Sequence, residues 1–370
     1  MTASAEPAAP ELPGTHPLPT VSLTDAMARQ FRLLECVANH FDGHRLFSSD
    51  LGVTPEWGRP DATRRTEETL AEFFGAPAAA LVQGAGSGAI RAMLTAALGP
   101  GERLIVHSSP AYATTGTTFR AMGLDLVETD FNTAPAEAEA RYVYLQHARQ
   151  LPGDSYDPAE VIARYAAVGV RALVDDNYAA FRTPRTGVEM GAEASALSLF
   201  KLLGPEGVGL VVGSRDLVDR VHADNYSGGG QVQGHQALDA LRALTHVPVL
   251  WAVQSAVVTE VAERLSAGEV PGVAQVRVAN AQDLCVLVQL DAPIAPKVIE
   301  AAARHGAATY PVGANSRYEI APLFYRLPGT YLSDAPRLAD WTIRINPMRA
   351  GADLVLTILT SALREAARCS

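Results

Sequence analysis

Short apolar runs alternate with amphipathic segments along most of the chain, which is the pattern of a sheet covered by helices. Apolar runs bounded by polar residues or glycine predict strands over residues 78–83, 102–108, 125–130, 142–146, 171–176, 197–200 and 209–214. Apolar residues at helical spacing predict helices over residues 67–77, 90–99, 115–123 and 157–169, of which the last opens with Asp157 and a proline. This alternation indicates an α/β domain with a mostly parallel sheet.

The last third of the chain shows a different order of elements. A long helical pattern over residues 236–268 leads out of the first domain, and strands are predicted over 273–279, 284–290 and 342–348, with helices over 294–306 and 352–369. We therefore expect three parts: a flexible N-terminal arm rich in alanine and proline over residues 1–20, a large domain over 21–245, and a small α+β domain over 246–370.

The amino-acid composition argues against several classes of protein. The chain has 370 residues, of which 48% are hydrophobic and 19% charged, and this excludes extensive disorder. A net charge of −10 argues against a nucleic-acid partner. No apolar run approaches the roughly 18–20 residues of a membrane helix, and the first residues lack the basic and apolar regions of a secretory signal. We expect a cytoplasmic protein without a membrane partner.

The cysteines and histidines do not predict a disulfide framework or a metal site. Cys36, Cys285 and Cys369 are far apart and odd in number. His40 and His44 have a spacing compatible with a metal, but no third ligand is evident.

Lysine is nearly absent from the chain. Of the 30 basic residues, only Lys201 and Lys297 are lysines, and the other 28 are arginines. Lys297 lies in a helical pattern, where a solvated lysine is ordinary. Lys201 lies in an apolar stretch, where burial of a charge is unfavourable. A lysine amine, unlike an arginine, can lose its proton and form an imine. Lys201 is therefore either an imine-forming lysine or a lysine whose amine reaches solvent from a strand end.

A glycine-rich turn over residues 84–89 follows a predicted strand and opens a helix. Gly84, Gly86 and Ala89 loosely fit the G-x-G-x-x-G/A fingerprint of nucleotide sites. A dinucleotide site also needs an acid at the end of the next strand, and residues 107–110 contain none. The turn therefore suits a phosphate at a helix N-terminus, or is only a tight connection between strand and helix.

Two adjacent acids, Asp175 and Asp176, end the predicted strand 171–176, where ligands bind in open α/β sheets. Successive side chains on a strand point to opposite faces, so only one of them need serve a site. A strand-end aspartate, a phosphate turn and a lysine in an apolar stretch are together what pyridoxal phosphate requires. The lysine holds the aldehyde as an imine, the turn holds the phosphate, and the aspartate keeps the pyridine nitrogen protonated.

The sequence here resembles fold type I pyridoxal-phosphate enzymes, related to the class V aminotransferases and to the lyases of cysteine and methionine metabolism, and most of all a bacterial aminotransferase-like branch. Its most specific part is Asp176-Asn177 followed by residues 198–209, which end in the class V pattern K-x-x-G-P-x-G-x-G. The resemblance extends from about residue 50 to the C-terminus. It implies a large domain with a seven-stranded, mostly parallel sheet, a small C-terminal domain, and a homodimer.

The resemblance assigns roles to individual positions. Lys201 matches the imine-forming lysine, and Asp176 matches the acid at the pyridine nitrogen. Tyr112 matches the aromatic residue that stacks on the cofactor ring, although it could be an ordinary core residue. Gln146 and Gln150 match the region that contacts the cofactor's 3-hydroxyl group.

Further matches concern the phosphate and the substrate. Gly86, Ser87 and Gly88 match the phosphate-binding turn, and Ser198 matches a hydroxyl that also reaches the phosphate. Arg344 matches the arginine that binds the substrate α-carboxylate, for which a guanidinium fork is suited. The alternative for Arg344 is a surface ion pair.

One segment links the resemblance to a dimer. Trp57-Gly58-Arg59 is similar to a segment of the lyases that reaches a neighbouring subunit's phosphate, so Arg59 is expected to bind cofactor across the interface of a homodimer with a shared active site. Tryptophan replaces the tyrosine of the lyases, and Phe200 replaces the polar residue usual before the lysine. Two polar loops, 225–231 and 315–319, are either parts of the site or plain connectors.

The function implied is a pyridoxal-phosphate-dependent enzyme that acts at Cα of an amino-acid substrate by way of an external aldimine and a quinonoid. In this account Lys201 moves the α-proton as a general base, while Tyr112 and Asp176 position the ring. Transamination is favoured, and elimination or replacement at the β or γ carbon, as in the lyases, is the main alternative. Racemisation and a non-catalytic regulator that binds the cofactor also stay open.

Overall fold

The computed structural model describes residues 8–226, 229–281, 283–311, 315–333 and 335–368. Seven strands form a sheet in the order β1-β7-β6-β5-β4-β2-β3. The strands are β1 (Ala78–Gln83), β2 (Arg103–His107), β3 (Asp125–Thr129), β4 (Tyr142–Gln146), β5 (Arg171–Asp175), β6 (Ala194–Ser198) and β7 (Val208–Gly213). Only β7 runs antiparallel to its neighbours. The predicted seven-stranded, mostly parallel sheet is confirmed.

Helices cover both faces of this sheet. They are α1 (Leu23–His40), α2 (Asp61–Phe73), α3 (Ala85–Ala97), α4 (Ala113–Met122), α5 (Pro158–Ala167), α6 (Arg215–Asp224), α7 (Gly234–Leu244) and α8 (Val247–Ser266). Buried apolar residues of α3, α4 and α6 pack on one face, and those of α2, α5 and α7 pack on the other. Asp157 caps α5 as predicted, because its carboxylate accepts a hydrogen bond from the backbone N–H of Ala159 at 2.7 Å.

A second sheet lies in the C-terminal third and is antiparallel, in the order β10-β11-β9-β8. Its strands are β8 (Val273–Ala281), β9 (Asp283–Leu290), β10 (Leu323–Tyr325) and β11 (Thr342–Asn346). Its helices are α9 (Ala295–Arg304), α10 (Gly329–Leu332), α11 (Leu338–Trp341) and α12 (Ala352–Arg368). A core of its own, built from β9, β11, α9, α12 and the second half of α8, supports the expected α+β organisation.

The long helical pattern over residues 236–268 is two helices rather than one. The chain breaks between α7 and α8, where Pro248 stands in the first turn of α8. The first half of α8 packs on the large-sheet core through Val247 and Trp251, whereas Val258 begins its contribution to the second core. Among the described residues no single helix is long and apolar enough to cross a membrane; α7 and α8 meet the length and composition together but are bent by 45°.

The N-terminal segment differs from the expected flexible arm. Residues 1–7 lie outside the described part of the chain, but residues 8–20 run along the second sheet. Thr15 donates a hydrogen bond to the carbonyl of Val278, and the backbone N–H of Leu18 donates to Asn280. Leu12 and Leu18 are buried, and burial of these apolar side chains stabilises the position of the segment. The high proline content had indicated a flexible segment instead.

Candidate active site

Lys201 lies on a short 3-10 turn, Phe200–Leu202, between β6 and β7 at the edge where the parallel strands end. Its Nζ atom is 3.8 Å from the ring centroid of Tyr178 and 5.9 Å from that of Tyr112. Burial lowers the pKa of Lys201 to about 8, although the negative charge of Asp175 opposes this shift. The amine is therefore far more often neutral near pH 7 than an ordinary lysine.

A cleft beside this lysine brings together five residues predicted for the site. Gly86, Ser87, Tyr112, Gln150 and Lys201 all line it. They come from the start of α3, the start of α4, the segment after β4 and the turn after β6, which meet at the carboxyl ends of the strands.

The glycine turn at the start of α3 has the geometry of an anion cradle. A Cβ atom on Gly86 would lie 2.3 Å from the side-chain oxygen of Asn177, so a larger residue would have to displace an amide that also bonds Ser198. The hydroxyl of Ser87, next to it, hydrogen-bonds Thr114 at 2.9 Å. Gly88 has a different role, since its Cβ would lie 2.0 Å from the carbonyl oxygen of Gln83 and the helix packs tightly on β1 there. Gly86 and Ser87 line the cleft, whereas the backbone N–H of Gly88 donates to the carbonyl of Gly84 at 2.8 Å. A phosphate held at this turn remains a prediction.

The two adjacent acids point in opposite directions, as the alternation of β5 predicts. Asp175 lies on the α3 side of the sheet, lines the cleft, and accepts hydrogen bonds from Tyr144 at 3.1 Å and from the backbone and side chain of Asn177 at 2.9 and 2.6 Å. Burial raises the pKa of Asp175, an effect that these bonds and Lys201 oppose.

Asp176 faces away from the cleft and is fully buried. Its carboxylate accepts hydrogen bonds from His147 at 2.7 Å and from the backbone N–H of Gly187 at 2.9 Å. The geometry thus favours Asp175 for the role that the sequence assigned to Asp176, because Asp175 shares a cleft with Tyr112. Alternation revealed that only one acid faces the site, but it could not tell which of the two.

Two of the predicted cofactor contacts hold other site residues in place. Gln146 accepts a hydrogen bond from the backbone N–H of Tyr112 at 2.8 Å, so it positions the aromatic residue. The backbone N–H of Lys201 donates to the hydroxyl of Ser198 at 3.3 Å, and the backbone N–H of Ser198 donates to Asn177 at 3.0 Å. Ser198 thereby joins the lysine turn to the end of β5.

Arg344 is buried in β11, with 3% of its surface exposed, so the alternative of a surface ion pair is wrong. One terminal nitrogen donates a hydrogen bond to the carbonyl of Ala281, and the guanidinium carbon is 5.2 Å from the ring centroid of Tyr325. Its Nε atom has no hydrogen-bond partner among the residues that the structure describes. An unpaired buried guanidinium N–H suits a carboxylate ligand.

Arg59 lies outside the cleft. It donates a hydrogen bond to the carboxylate of Glu67 at 2.6 Å, in a separate pocket that also contains Trp57 and His222. Glu67 is buried, and burial raises its pKa to about 7 despite the neighbouring positive charge of Arg59. Within one chain, Arg59 therefore serves a buried ion pair and not the cofactor cleft.

Tyr178 is a site residue that the sequence did not reveal. It lines the cleft, its ring lies against Lys201, and its φ of 67° is in the left-handed region, which is unusual for a tyrosine. Burial raises the pKa of its phenol, so the hydroxyl stays protonated. No periodicity marks such a residue, because its role depends on the chain reversal after β5.

The polar loop 315–319 contacts the lysine turn, which favours a place near the site over a plain connector. Arg317 donates a hydrogen bond to the carbonyl of Leu203 at 2.9 Å and pairs with Asp239 at 2.7 Å. The ring of Tyr318 lies 6.4 Å from that of Phe200. The other loop, 225–231, includes residues 227 and 228, which lie outside the described residues.

Comparisons with known proteins identify the family of the chain. Residues 59–241 match the family model described as "Aminotransferase class-V", and residues 259–359 match "YhfS-like, C-terminal domain". The protein YhfS of Escherichia coli strain K12 is 48% identical over 356 residues, which cover 94% of this chain and 99% of the relative. The crystal structure of the pyridoxal-5'-phosphate-dependent protein YhfS from Escherichia coli, 47% identical, superposes with a TM-score of 0.94 over 95% of this chain and 99% of that one.

More distant structures share the fold. A methionine gamma lyase from Micromonospora echinospora, 20% identical, has a TM-score of 0.68 over 90% of this chain and 98% of its own. A cystathionine gamma synthase from Xanthomonas oryzae pv. oryzae, 18% identical, has a TM-score of 0.65 over 85% and 88%. The resemblance drawn from the sequence and the cofactor that it implied are both confirmed. The chain belongs to the YhfS-like family of fold type I, pyridoxal-phosphate-dependent proteins.

Proposed function

We propose that this chain is an enzyme that uses pyridoxal phosphate to activate Cα of an amino acid. The observation that carries the proposal is the position of Lys201, whose amine has a lowered pKa and lies in one cleft with the glycine cradle, Tyr112 and Asp175. When bound, the cofactor supplies an electron sink for the charge that develops at Cα.

The residues of the chain divide the remaining work. Lys201 would hold the cofactor through its aldehyde carbon, and its free neutral amine would accept the α-proton at Nζ. Asp175 would keep a proton on the ring nitrogen of the bound cofactor, and Tyr112 would stack on its ring. Arg344 binds the substrate α-carboxylate, with its unpaired Nε–H among the donors.

For the reaction that follows, we propose transamination. The match of residues 59–241 to the class V aminotransferase model supports it. Such an enzyme should require a keto acid as amino acceptor for turnover. Half-reaction with the donor amino acid alone should leave the protein with a stable pyridoxamine spectrum.

Elimination or replacement is the second candidate, because solved structures of lyases and synthases of cysteine and methionine metabolism share the fold. An enzyme of this kind should release ammonia and a keto acid from one amino acid without any acceptor. Assaying ammonia with and without added keto acid therefore separates the two reactions. If no amino acid alters the visible spectrum of the holoenzyme, the chain is a cofactor-binding regulator and the proposal fails.

We also propose a homodimer, because one face of α1 carries an unpartnered apolar stripe of Leu23, Met27, Phe31 and Leu34. These side chains are 43–55% exposed, while the other face of the helix packs on α2 and α8. The stripe and the segment that bears Arg59 are then the surfaces through which a partner would complete the site.

Light scattering after size exclusion tests the dimer. Leu34→Glu should shift the protein towards the monomer, while Leu354→Glu, which alters an equally exposed leucine on α12, should not. Two variants with the same mass as wild type would refute an interface on α1.

A further inference from the structure

A second cavity adjoins Lys201. Tyr178 lines both this cavity and the cleft, and the remaining wall includes Asp176, Arg182, Trp251 and Asn315. The cavity therefore connects the catalytic amine with the region where the large-sheet core meets the C-terminal third of the chain.

Arg182, in the chain reversal after β5, is buried in this wall with 5% of its surface exposed. One terminal nitrogen donates a hydrogen bond to Gln254 at 2.9 Å, and the guanidinium carbon lies 4.3 Å from the ring centroid of Trp251. The other terminal nitrogen, Nη1, has no hydrogen-bond partner among the described residues. Burial lowers the pKa of Arg182 to about 10, which reflects how poorly the charge is compensated.

Arg349, after β11, lies against the same indole. Its guanidinium carbon is 4.9 Å from the Trp251 ring centroid, and neither of its terminal nitrogens has a hydrogen-bond partner within the described ranges. The same holds for the indole Nε1–H of Trp251 itself. Four N–H-bearing atoms of three neighbouring side chains are thus unpaired, at a place where buried donors are normally satisfied.

Three buried acids lie near these arginines. Asp176 lines the cavity but bonds His147 and Gly187. Asp283 and Glu319 oppose the lowered pKa of Arg182 and of Arg349 respectively through space. Among the described residues, none of these acids accepts a hydrogen bond from the unpaired nitrogens.

Asp283 is buried and accepts hydrogen bonds from Asn315 at 3.2 Å and from Asn346 at 2.7 Å. Gln254, the partner of Arg182, donates to Asn346 as well. Oδ2 of Asp283 therefore already accepts hydrogen bonds from two amide groups. Buried guanidinium groups without acceptors are costly, and an anionic ligand is the group that would satisfy them.

We propose that Arg182, Arg349 and the Trp251 N–H form a subsite for an anionic group on the substrate's side chain. The inference rests on the proposed function, in which Arg344 takes the α-carboxylate and Lys201 acts at Cα. The substrate class is then an amino acid with a second anionic oxygen group, either a carboxylate or a phosphate. Tyr178 lines both the cleft and the second cavity and so bounds the path of the side chain.

Visible titration of the holoenzyme with matched pairs of amino acids tests the subsite. The probes are aspartate with asparagine, glutamate with glutamine, O-phosphoserine with serine, and alanine as the amino acid without a polar side chain. At least one acidic member should alter the cofactor band at a concentration about tenfold or more below its neutral counterpart, as expected for charge-assisted hydrogen bonds. The most effective pair identifies carboxylate or phosphate.

Two variants test whether Arg182 causes the preference for acidic amino acids. Arg182→Gln should abolish the preference for the acidic member and leave the cofactor band and the alanine response intact, whereas Arg185→Gln, at an exposed position three residues on, should change nothing. Equal responses to acidic and neutral members in the wild-type protein would overturn the subsite while the proposed function stands. If no amino acid alters the band, the proposed function fails and the subsite with it.

Discussion

Substituting the two adjacent acids at the end of β5 tests which of them serves the cofactor, because they are neighbours in sequence but have different surroundings. Asp175 lines the cleft, and Asp176 is buried behind it against His147. We expect Asp175→Asn to impair catalysis and Asp176→Asn to impair stability. Each substitution removes one negative charge at nearly constant volume, so each is the control for the other.

The magnitudes follow from the contacts. A hydrogen bond to a charged group contributes about 1.5–3 kcal/mol, so losing the carboxylate at the ring nitrogen should lower kcat/KM about 10- to 150-fold. Asp176→Asn leaves one oxygen for the backbone N–H of Gly187 and turns an NH2 group towards His147. The variant therefore either leaves a donor unsatisfied or forces His147 to accept at Nδ1, and the charge-assisted hydrogen bond is lost in both cases, at a cost of about 1–3 kcal/mol in unfolding free energy.

Steady-state kinetics with the amino acid that alters the cofactor band, together with urea unfolding of both variants, measure these effects. Asp176→Asn should lower kcat/KM much less than Asp175→Asn, because the Asp176 carboxylate bonds His147 and Gly187 and lines only the second cavity, not the cleft. The reverse outcome, with catalysis lost in Asp176→Asn and kept in Asp175→Asn, would refute the assignment of the cleft acid.

Three other predictions concern the cradle, the lysine and the buried glutamate. Gly86→Ala should weaken cofactor binding in absorbance titrations of the apoprotein, because its Cβ meets Asn177, while Gly116→Ala on α4, with no contact under 3.5 Å, should not. With a Lys201 pKa of about 8, the rate of imine formation should rise with pH and level off just above pH 8; a rise continuing to pH 10 would contradict the lowered pKa. The pKa of Glu67 is raised from 4.5 to about 7 in the folded state, so its contribution to stability is present below pH 4.5 and is lost as the pH rises through 7. Glu67→Gln should therefore reduce the loss of unfolding free energy between pH 5 and pH 8 in urea unfolding, and an unchanged pH dependence would refute this.

Most of the sheet could be predicted from the sequence because its strands are short, apolar and separated by clear turn signals. The elements that were missed include α1, which has 18 residues, and α6, which has ten, as well as shorter ones. Residues 323–325 form a three-residue strand, too short for a periodicity. The break after α7 lay hidden because Pro248 falls in the first turn of a helix, where proline is tolerated.

The sequence could predict those parts of the site in which a single residue or a short motif carries the chemistry. Lys201 stood out by its rarity and its apolar surroundings, and the glycine turn by its place between strand and helix. The choice between Asp175 and Asp176 depends on which face of β5 meets α3, which is a tertiary fact. Arg182 gave no signal, because its importance comes from the partners that its buried nitrogen lacks.

The visible absorption spectrum of the protein with pyridoxal phosphate, alongside Lys201→Ala, tests the central claim most directly. We expect a yellow wild-type protein whose band is bleached by borohydride, with covalent retention of the cofactor. The Lys201→Ala variant should lack the imine band. A wild-type protein that stays colourless with added pyridoxal phosphate, or a variant that keeps the borohydride-sensitive band, would contradict the account.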